Sequence, residues 1–131
     1  MKKKYEEIKG FVLDMGIAIT QENEAEELIV VNDEDSGVKD LIIDCEEPIV
    51  IIEQLIMKAP ASPEKLFKRL LQMNREMIHG AFVLDESGEN ILFRDTLQLE
   101  NLDRNELEAS IQSLQLAISE YAVEFLVYAG R

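Results

Sequence analysis

The first apolar residues of the chain repeat at helical spacing. Tyr5, Ile8, Val12 and Met15 lie three or four residues apart, and Glu, Lys and Asp occur between them. This spacing places the four side chains on one face of a short helix. Gly16 follows directly and is expected to end the helix.

Between Ile17 and Met57 the apolar residues form short runs that are rich in isoleucine and valine. Polar turns separate these runs, which is typical of strands. The turn at 32–37 contains Asn, Asp and Gly, which tolerate tight backbone geometry, so its flanking runs are predicted to form an antiparallel hairpin. The four predicted strands are 17–20, 28–32, 41–45 and 49–57.

A proline-containing break then precedes a second helical pattern. Ser62 as the N-cap and Pro63 at the first helical position predict a helix that reaches about Ile78. Gly80 fits the position that terminates such a helix. Asn74 within it is expected to hydrogen-bond the neighbouring backbone where the helix meets the next strand.

Two further strands and a long helix complete the pattern. The strands are predicted at 81–84 and 90–99, and Gly88 is expected in the special conformation of the loop between them. Asp103 and Glu106 form a D-x-x-E variant of the capping box. The helix behind this cap extends to about residue 128, and its apolar stripe comprises Leu107, Ile111, Leu114, Ile118, Tyr121 and Phe125.

The predicted order is therefore helix, four strands, helix, two strands, helix. It lacks the strand–helix–strand alternation that builds a parallel sheet. This order indicates an α+β fold with helices packed on a mostly antiparallel sheet. We expect one domain over residues 1–131.

The charge of the chain restricts its partners. Among 131 residues there are 27 Asp and Glu against 13 Lys and Arg, so the formal net charge is −14. This charge opposes a phosphate backbone, and no nucleic-acid partner is expected. A chain of this length can bury a sizeable core, and we expect an acidic, soluble protein.

The residues that usually carry catalysis or bind metals are scarce. The sequence has one cysteine, Cys45, and one histidine, His79, and its glycines form no phosphate-binding pattern. We therefore expect no cofactor, no metal and no enzymatic activity. The sequence also has no signal peptide and no run long enough to span a membrane, so a cytoplasmic protein without membrane insertion is expected.

The fourth predicted strand is apolar on both sides. Alternation places Val50, Ile52 and Ile56 on one face, together with Gln54, which is expected to bond a partner's backbone. An antiparallel sheet covered by helices on one side normally has a polar outer face. Either elements of the same chain cover both faces, or one face binds another polypeptide. The client-binding candidates are Val50, Ile52, Ile56 and, on the first helix, Ile8 and Val12.

Short motifs in the second half resemble the secretion-chaperone superfamily. They are the L-L-x-x-N helix at 70–74, the G-x-F-x-L-D strand at 80–85 and an acidic-capped closing helix with E-L-E at 106–108. The resemblance spans about residues 66–114. This superfamily includes type III secretion chaperones of the Tir-chaperone type and the related YbjN-type bacterial domains.

The resemblance implies a small cytoplasmic homodimer that holds a partly unfolded effector segment on its outer sheet and first helix. The YbjN-type branch is not tied to secretion, so the alternative is a regulatory or adaptor module that binds a folded partner. The dimer interface that the resemblance implies lies on the second helix and the strand after it, at Leu66, Leu70, Met73, Phe82 and Leu84.

Overall fold

The computed structural model describes residues 2–130, which form three helices, six strands and a short 3-10 turn at Glu34–Ser36. The order of elements confirms the predicted α+β fold. In chain order the helices and strands are α1 (Lys2–Asp14), β1 (Ala18–Asn23), β2 (Leu28–Asp33), β3 (Val38–Glu46), β4 (Ile49–Lys58), α2 (Glu64–Glu76), β5 (Ala81–Leu84), β6 (Asn90–Gln98) and α3 (Arg104–Tyr128).

All six strands belong to one antiparallel sheet with the order β1-β2-β3-β4-β6-β5. The first four strands form a meander, and β6 then pairs with the free side of β4. β1 and β5 are consequently the edge strands. The pairing of β4 with β6 contains a bulge between Leu55 and Met57, which changes the side-chain alternation at the end of β4.

One continuous apolar core lies between the sheet and the helices. All three helices contribute buried side chains to it, including Val12 from α1, Leu66 from α2 and Leu114 from α3. An ion pair also joins the end of α1 to the start of α3, with Arg104 Nε 2.7 Å from Asp14 Oδ2. The sheet residues that face this core, called the inner face, are Ile29, Val31, Leu41, Ile43, Val50, Ile52, Ile91 and Phe93.

The beginning and end of α2 differ from the prediction. Pro63 rather than Ser62 is the N-cap residue, and it provides no side-chain cap. The helix ends at Glu76, before Ile78. Gly80 therefore does not terminate the helix; instead it has a φ of +74°, and a Cβ placed on it would lie 2.6 Å from Cζ of the buried Phe93 ring. A glycine here lets the chain pass directly over the core.

The start of α3 confirms the predicted capping box. The Asp103 side chain accepts a hydrogen bond from the Glu106 backbone N–H at 2.8 Å, and Glu106 Oε1 accepts one from the Asp103 N–H at 3.3 Å. Both bonds satisfy donors that a helix start otherwise leaves free. α3 then continues for 25 residues. Within residues 2–130, none of the helices has the length and the apolar run that spanning a bilayer requires.

Candidate protein-binding surfaces

The predicted client-binding residues lie mostly in the core. Val50 and Ile52 of β4 are 0% exposed, and Ile8 and Val12 of α1 are buried against the same cluster. Ile56 is half-buried and packs against that cluster. The assignment of these residues to an exposed face therefore needs correction, because the helices of the same chain cover this side of β4.

Gln54 lies on the same inward-facing side of β4 and bonds to the backbone of its own chain. Its side chain is buried, its Oε1 accepts a hydrogen bond from the Lys39 backbone N–H at 2.9 Å, and its Nε2 donates one to the Gly37 carbonyl at 3.0 Å. The amide thus satisfies backbone groups at the start of β3, and not those of a partner as we had expected. A buried amide with both ends bonded fixes this part of the strand pairing.

The predicted dimer-interface residues are also largely internal. Leu66, Leu70 and Met73 form the buried side of α2. Phe82 of β5 is buried in edge-to-face contacts with the rings of Tyr121 and Phe125 on α3, at centroid distances of 6.4 and 5.2 Å. Of the five, Leu84 alone is exposed. This surface needs the same correction, because α2 and β5 use these side chains to pack onto the rest of the chain.

The opposite side of the sheet carries apolar side chains that the helices do not cover. Val30 of β2 is paired with Ile42 of β3. Leu55 of β4 is paired with Leu92 of β6, which is paired in turn with Val83 of β5. These side chains share one face of the sheet. Leu55 is 60% exposed. None of these side chains belongs to the core cluster or packs against it, although Val30 itself is only 9% exposed. We call this surface the outer face and define it by Val30, Ile42, Ile51, Leu55, Val83 and Leu92.

Charged groups interrupt and border the outer face. Glu53 of β4 and Arg94 of β6 are paired directly across the two strands and form an ion pair. Asp44 of β3 lies opposite Ile51, and Glu46 follows two residues later on the same side of the strand. The outer face is therefore an apolar surface with a neutralised pair at its centre and carboxylates at one border.

Asp44 is the most perturbed carboxylate of this border. Partial burial, followed by the negative charge and hydrogen bonding of Glu46, raises the pKa of Asp44 to about 6. Its Oδ1 is buried and accepts no hydrogen bond from residues 2–130. A carboxylate in this environment gains when a cationic group approaches it.

A second apolar surface lies on the outward side of α3. Leu116, Val123, Leu126 and Val127 are exposed there, although the other side of the same helix is buried in the core. The sequence prediction included the buried stripe and missed this one. The detectable signal is limited to Leu116, Val123 and Leu126, which are seven and then three residues apart and therefore share one side of the helix.

A groove of about 500 Å³ lies beside this second stripe, along residues 109–121 of α3. Ile78 and His79, which follow α2, line one side, and Ala109, Gln112 and Leu116 of α3 line the other. The Ser113 hydroxyl holds the two sides together, because it donates a 2.6 Å hydrogen bond to the His79 carbonyl and accepts one from the His79 N–H. Both bonds are made by backbone atoms of His79, which lies three residues beyond the end of α2.

Cys45 is placed for packing and not for reaction. It is buried on β3, and burial raises the pKa of its thiol to about 11. The nucleophilic thiolate is therefore a very small fraction at neutral pH. Among residues 2–130, no group of three or more His, Cys, Asp or Glu side chains is arranged to hold a metal ion.

Comparison with known proteins gives a family match over the whole chain. The CesT_Tir_1 family model matches residues 1–131. Comparison with the curated proteins finds no match.

Two solved structures are similar in fold. One is YbjN from E. coli, described as a putative transcription regulator, with 13% identity and a TM-score of 0.70 over 92% of each chain. The other is in the HopA1-SchA chaperone-effector complex, with 10% identity and a TM-score of 0.67 over 92% of this chain and 94% of that one. At these identities the likeness concerns the fold.

Proposed function

The chain belongs to the CesT_Tir_1 family of type III secretion chaperones, and from this premise we propose that it binds an extended segment of a partner protein. The family is a chaperone family and not an enzymatic one. One of the similar folds occurs in a chaperone-effector complex, which supports a polypeptide as the ligand. The proposed role is accordingly that of a non-enzymatic, chaperone-like protein.

The observation that carries this proposal is the outer face. It is an apolar sheet surface that the helices of the chain leave uncovered, with Leu55 and Ile42 exposed. Exposed apolar patches of this kind commonly mark surfaces that meet another polypeptide. An extended segment suits a sheet surface, because its alternate side chains can contact the apolar positions while the others remain in solvent.

Charge adds a preference for basic residues beside the apolar centre of the segment. Asp44 and Glu46 border the outer face, and burial followed by the negative charge of Glu46 raises the pKa of Asp44. A Lys or Arg of the bound segment would stabilise the ionised Asp44 carboxylate through a charge-assisted contact. The net charge of −14 attracts the same kind of segment at longer range.

The alternative is a YbjN-like regulatory or adaptor module that binds a folded protein partner. The structural likeness to YbjN favours it as much as the chaperone-effector likeness favours the first proposal. The two functions differ in what they require from the partner. A chaperone binds the isolated segment, whereas an adaptor needs the folded surface.

The other properties that we propose follow the family. We expect one domain over residues 1–131, a homodimer, and a cytoplasmic location that suits the single, buried and unreactive Cys45. Neither nucleic acid nor an inserted membrane segment is part of the proposal, given the net charge of −14.

Fluorescence anisotropy with synthetic peptides tests the proposal. A peptide of about 12 residues, about 40 Å long when extended, would carry a central V-I-L-V-type apolar run with Lys and Arg flanks. A matched peptide would have Glu and Asp flanks. We expect the basic-flanked peptide to bind, and Leu55→Asp to weaken its binding at least about tenfold. Leu71→Asp is the control, because Leu71 of α2 is 73% exposed but lies outside both the outer face and α1.

The outcomes separate the two functions. Equal loss of binding in both variants, or equal binding of both peptides, would contradict the outer face as the acidic-bordered binding site. If no isolated peptide binds while a folded partner protein does, the adaptor function is the correct one.

A further inference from the structure

The charge of α2 is opposite in sign to that of the whole protein. Among its 13 residues are four Lys and Arg and two Glu, whereas the whole chain has 27 Asp and Glu against 13 Lys and Arg. The buried side of the helix consists of Leu66, Leu70 and Met73, so the charged side chains point away from the core. The helix therefore presents a positive surface on an acidic molecule.

Three of the four cations on α2 have no carboxylate partner within residues 2–130. Lys65, Lys68 and Arg75 are exposed and belong to none of the ion pairs formed by these residues. Arg69, the fourth cation, differs because it is paired with Glu124 of α3. The chain has about twice as many acidic as basic side chains, and yet these three cations remain available to an external anion.

The three unpaired cations are spaced along the outward side of the helix. Lys68 and Arg75 are seven residues apart, which is two helical turns, and Lys65 lies one turn before Lys68. At a rise of 1.5 Å per residue, Lys68 and Arg75 are about 10 Å apart along the helix axis. We call Lys65, Lys68 and Arg75 the basic stripe. Glu64 and Glu76 lie at its two ends, so the positive surface is about 15 Å long.

Charge selects an acidic occupant for the basic stripe and disfavours a two-fold contact with a second copy. In such a contact, the basic stripes of the two copies would face each other, and like charges in contact are unfavourable. A nucleic acid or an anionic membrane has an extended negative surface, which would also meet the acidic remainder of the protein. A short acidic segment avoids that repulsion, because charges beyond the Debye length of about 8 Å at physiological salt interact weakly.

We propose that the basic stripe binds an acidic helical segment of a second partner protein, with the carboxylates of that segment opposite Lys65, Lys68 and Arg75. The Arg75 guanidinium can hold a carboxylate through two parallel hydrogen bonds, and each lysine adds a charge-assisted contact. Exposed ion pairs are individually weak, so selectivity depends on several carboxylates having the same spacing as the cations. Glutamates at positions i, i+3, i+7 and i+10 of a helix have this spacing.

The basic stripe and the outer face lie on opposite sides of the molecule. The helices cover the inner face of the sheet, and the basic stripe points away from that layer, whereas the outer face is the uncovered side of the sheet. Both surfaces can therefore be occupied at once. In that state the protein would hold a basic-flanked segment on one side and an acidic partner on the other.

An NMR titration of the full chain in about 50 mM salt tests the proposal. The probe is an alanine-rich helical peptide of about 15 residues with glutamates at i, i+3, i+7 and i+10. We expect amide shifts concentrated in residues 64–76, and a dissociation constant at least about tenfold higher for Lys68→Glu/Arg75→Glu. Binding should also weaken at about 500 mM salt, where the Debye length is much shorter.

Two matched controls separate the basic stripe from a general effect of charge. Lys3→Glu/Lys39→Glu changes the net charge by the same amount at exposed cations of α1 and β3, and should retain the affinity of the wild-type protein. A peptide of identical composition, with its glutamates spread around the helix, should bind more weakly than the probe. Circular dichroism establishes that each variant is folded.

Equal weakening in the two double variants would overturn the basic stripe as the binding site, and equal binding of the two peptides would overturn the helical match. The protein is also tested against duplex DNA and against vesicles of phosphatidylglycerol and phosphatidylcholine in equal parts. If either binds through the stripe while the acidic peptide does not, the proposed occupant is wrong. Salt-sensitive oligomers that disappear in Lys68→Glu/Arg75→Glu would instead assign the stripe to a second copy. The basic-flanked peptide is a different ligand for a different surface, so its result is independent of this one.

Discussion

The side chain of Asn74 binds both backbone groups of Phe82. Its Oδ1 accepts a hydrogen bond from the Phe82 N–H at 2.8 Å, and its Nδ2 donates one to the Phe82 carbonyl at 3.1 Å. Phe82 lies on β5, an edge strand whose outward backbone groups have no strand partner. The amide of α2 therefore takes the place of a neighbouring strand and blocks this edge against strand addition.

We predict that Asn74→Ala lowers the free energy of unfolding by about 1–3 kcal/mol, because it leaves two backbone groups of a buried residue without partners. Chemical denaturation monitored by circular dichroism provides the measurement. Gln72→Ala is the control, since Gln72 is an exposed residue of the same helix. Equal stability of the two variants would show that water replaces the Asn74 amide without cost.

Gly80 and Gly88 allow the cost of a close contact to be separated from the cost of backbone conformation. Both have a φ of +74°, but a Cβ would meet the Phe93 ring at Gly80 and open space at Gly88. We predict that Gly88→Ala costs about 1–2 kcal/mol for the left-handed conformation, and that Gly80→Ala costs more. Thermal and urea denaturation of both variants would test this order. Equal losses would mean that the Phe93 ring moves aside freely.

The elements that local sequence determines could be predicted. The capping box of α3 needs Asp103 and Glu106 three residues apart, so it was visible without the fold. The Asn74 bond to the next strand was likewise predictable, since helix and strand are separated by a short connection. Strand and helix order followed from the change between alternating and helical spacing.

The side of β4 that faces the core could not be predicted, because both sides are apolar. The sequence analysis selected Val50 and Ile52 for a partner, whereas the helices cover them and leave Leu55 exposed. The bulge after Leu55 also moves Met57 to the core side, which strict alternation does not predict. The choice of side depends on the strand pairing and on where the helices pack, and both are tertiary properties.

The two sides of β4 should respond differently to truncation. We predict that Ile52→Ala, at a side chain with no exposed surface, lowers the free energy of unfolding by about 2–5 kcal/mol. Leu55→Ala should change it by less than about 1 kcal/mol, because most of that side chain is already in solvent. Urea denaturation of the two variants gives both values. A large loss for Leu55→Ala would indicate that the outer face is covered in the folded protein, for instance by a second copy.

Asp44 and Asp85 should make opposite contributions to the pH dependence of stability. The pKa of Asp44 is raised from 3.8 to about 6, so the folded state binds its proton more tightly than the unfolded state does. Its contribution is present below about pH 4 and is lost as the pH rises through about 6. The pKa of Asp85 is lowered to about 2 by hydrogen bonds, first from Ser87 and then from Asn90, so its contribution is present above about pH 4 and is lost as the pH falls towards 2.

Urea denaturation between pH 3 and pH 8 of two asparagine variants tests these contributions. Asp44→Asn removes a carboxylate that is costly to ionise, so we predict that it is more stable than the wild-type protein above pH 6 and that this advantage disappears below about pH 4. Asp85→Asn should be less stable than wild type above pH 4, with the difference shrinking towards lower pH. The same Asp44→Asn change should also weaken the binding of the basic-flanked peptide at pH 8. If the Asp44→Asn variant is more stable but binds the peptide with unchanged affinity, the Asp44 carboxylate does not contact the peptide. The acidic contact would then be made by Glu46.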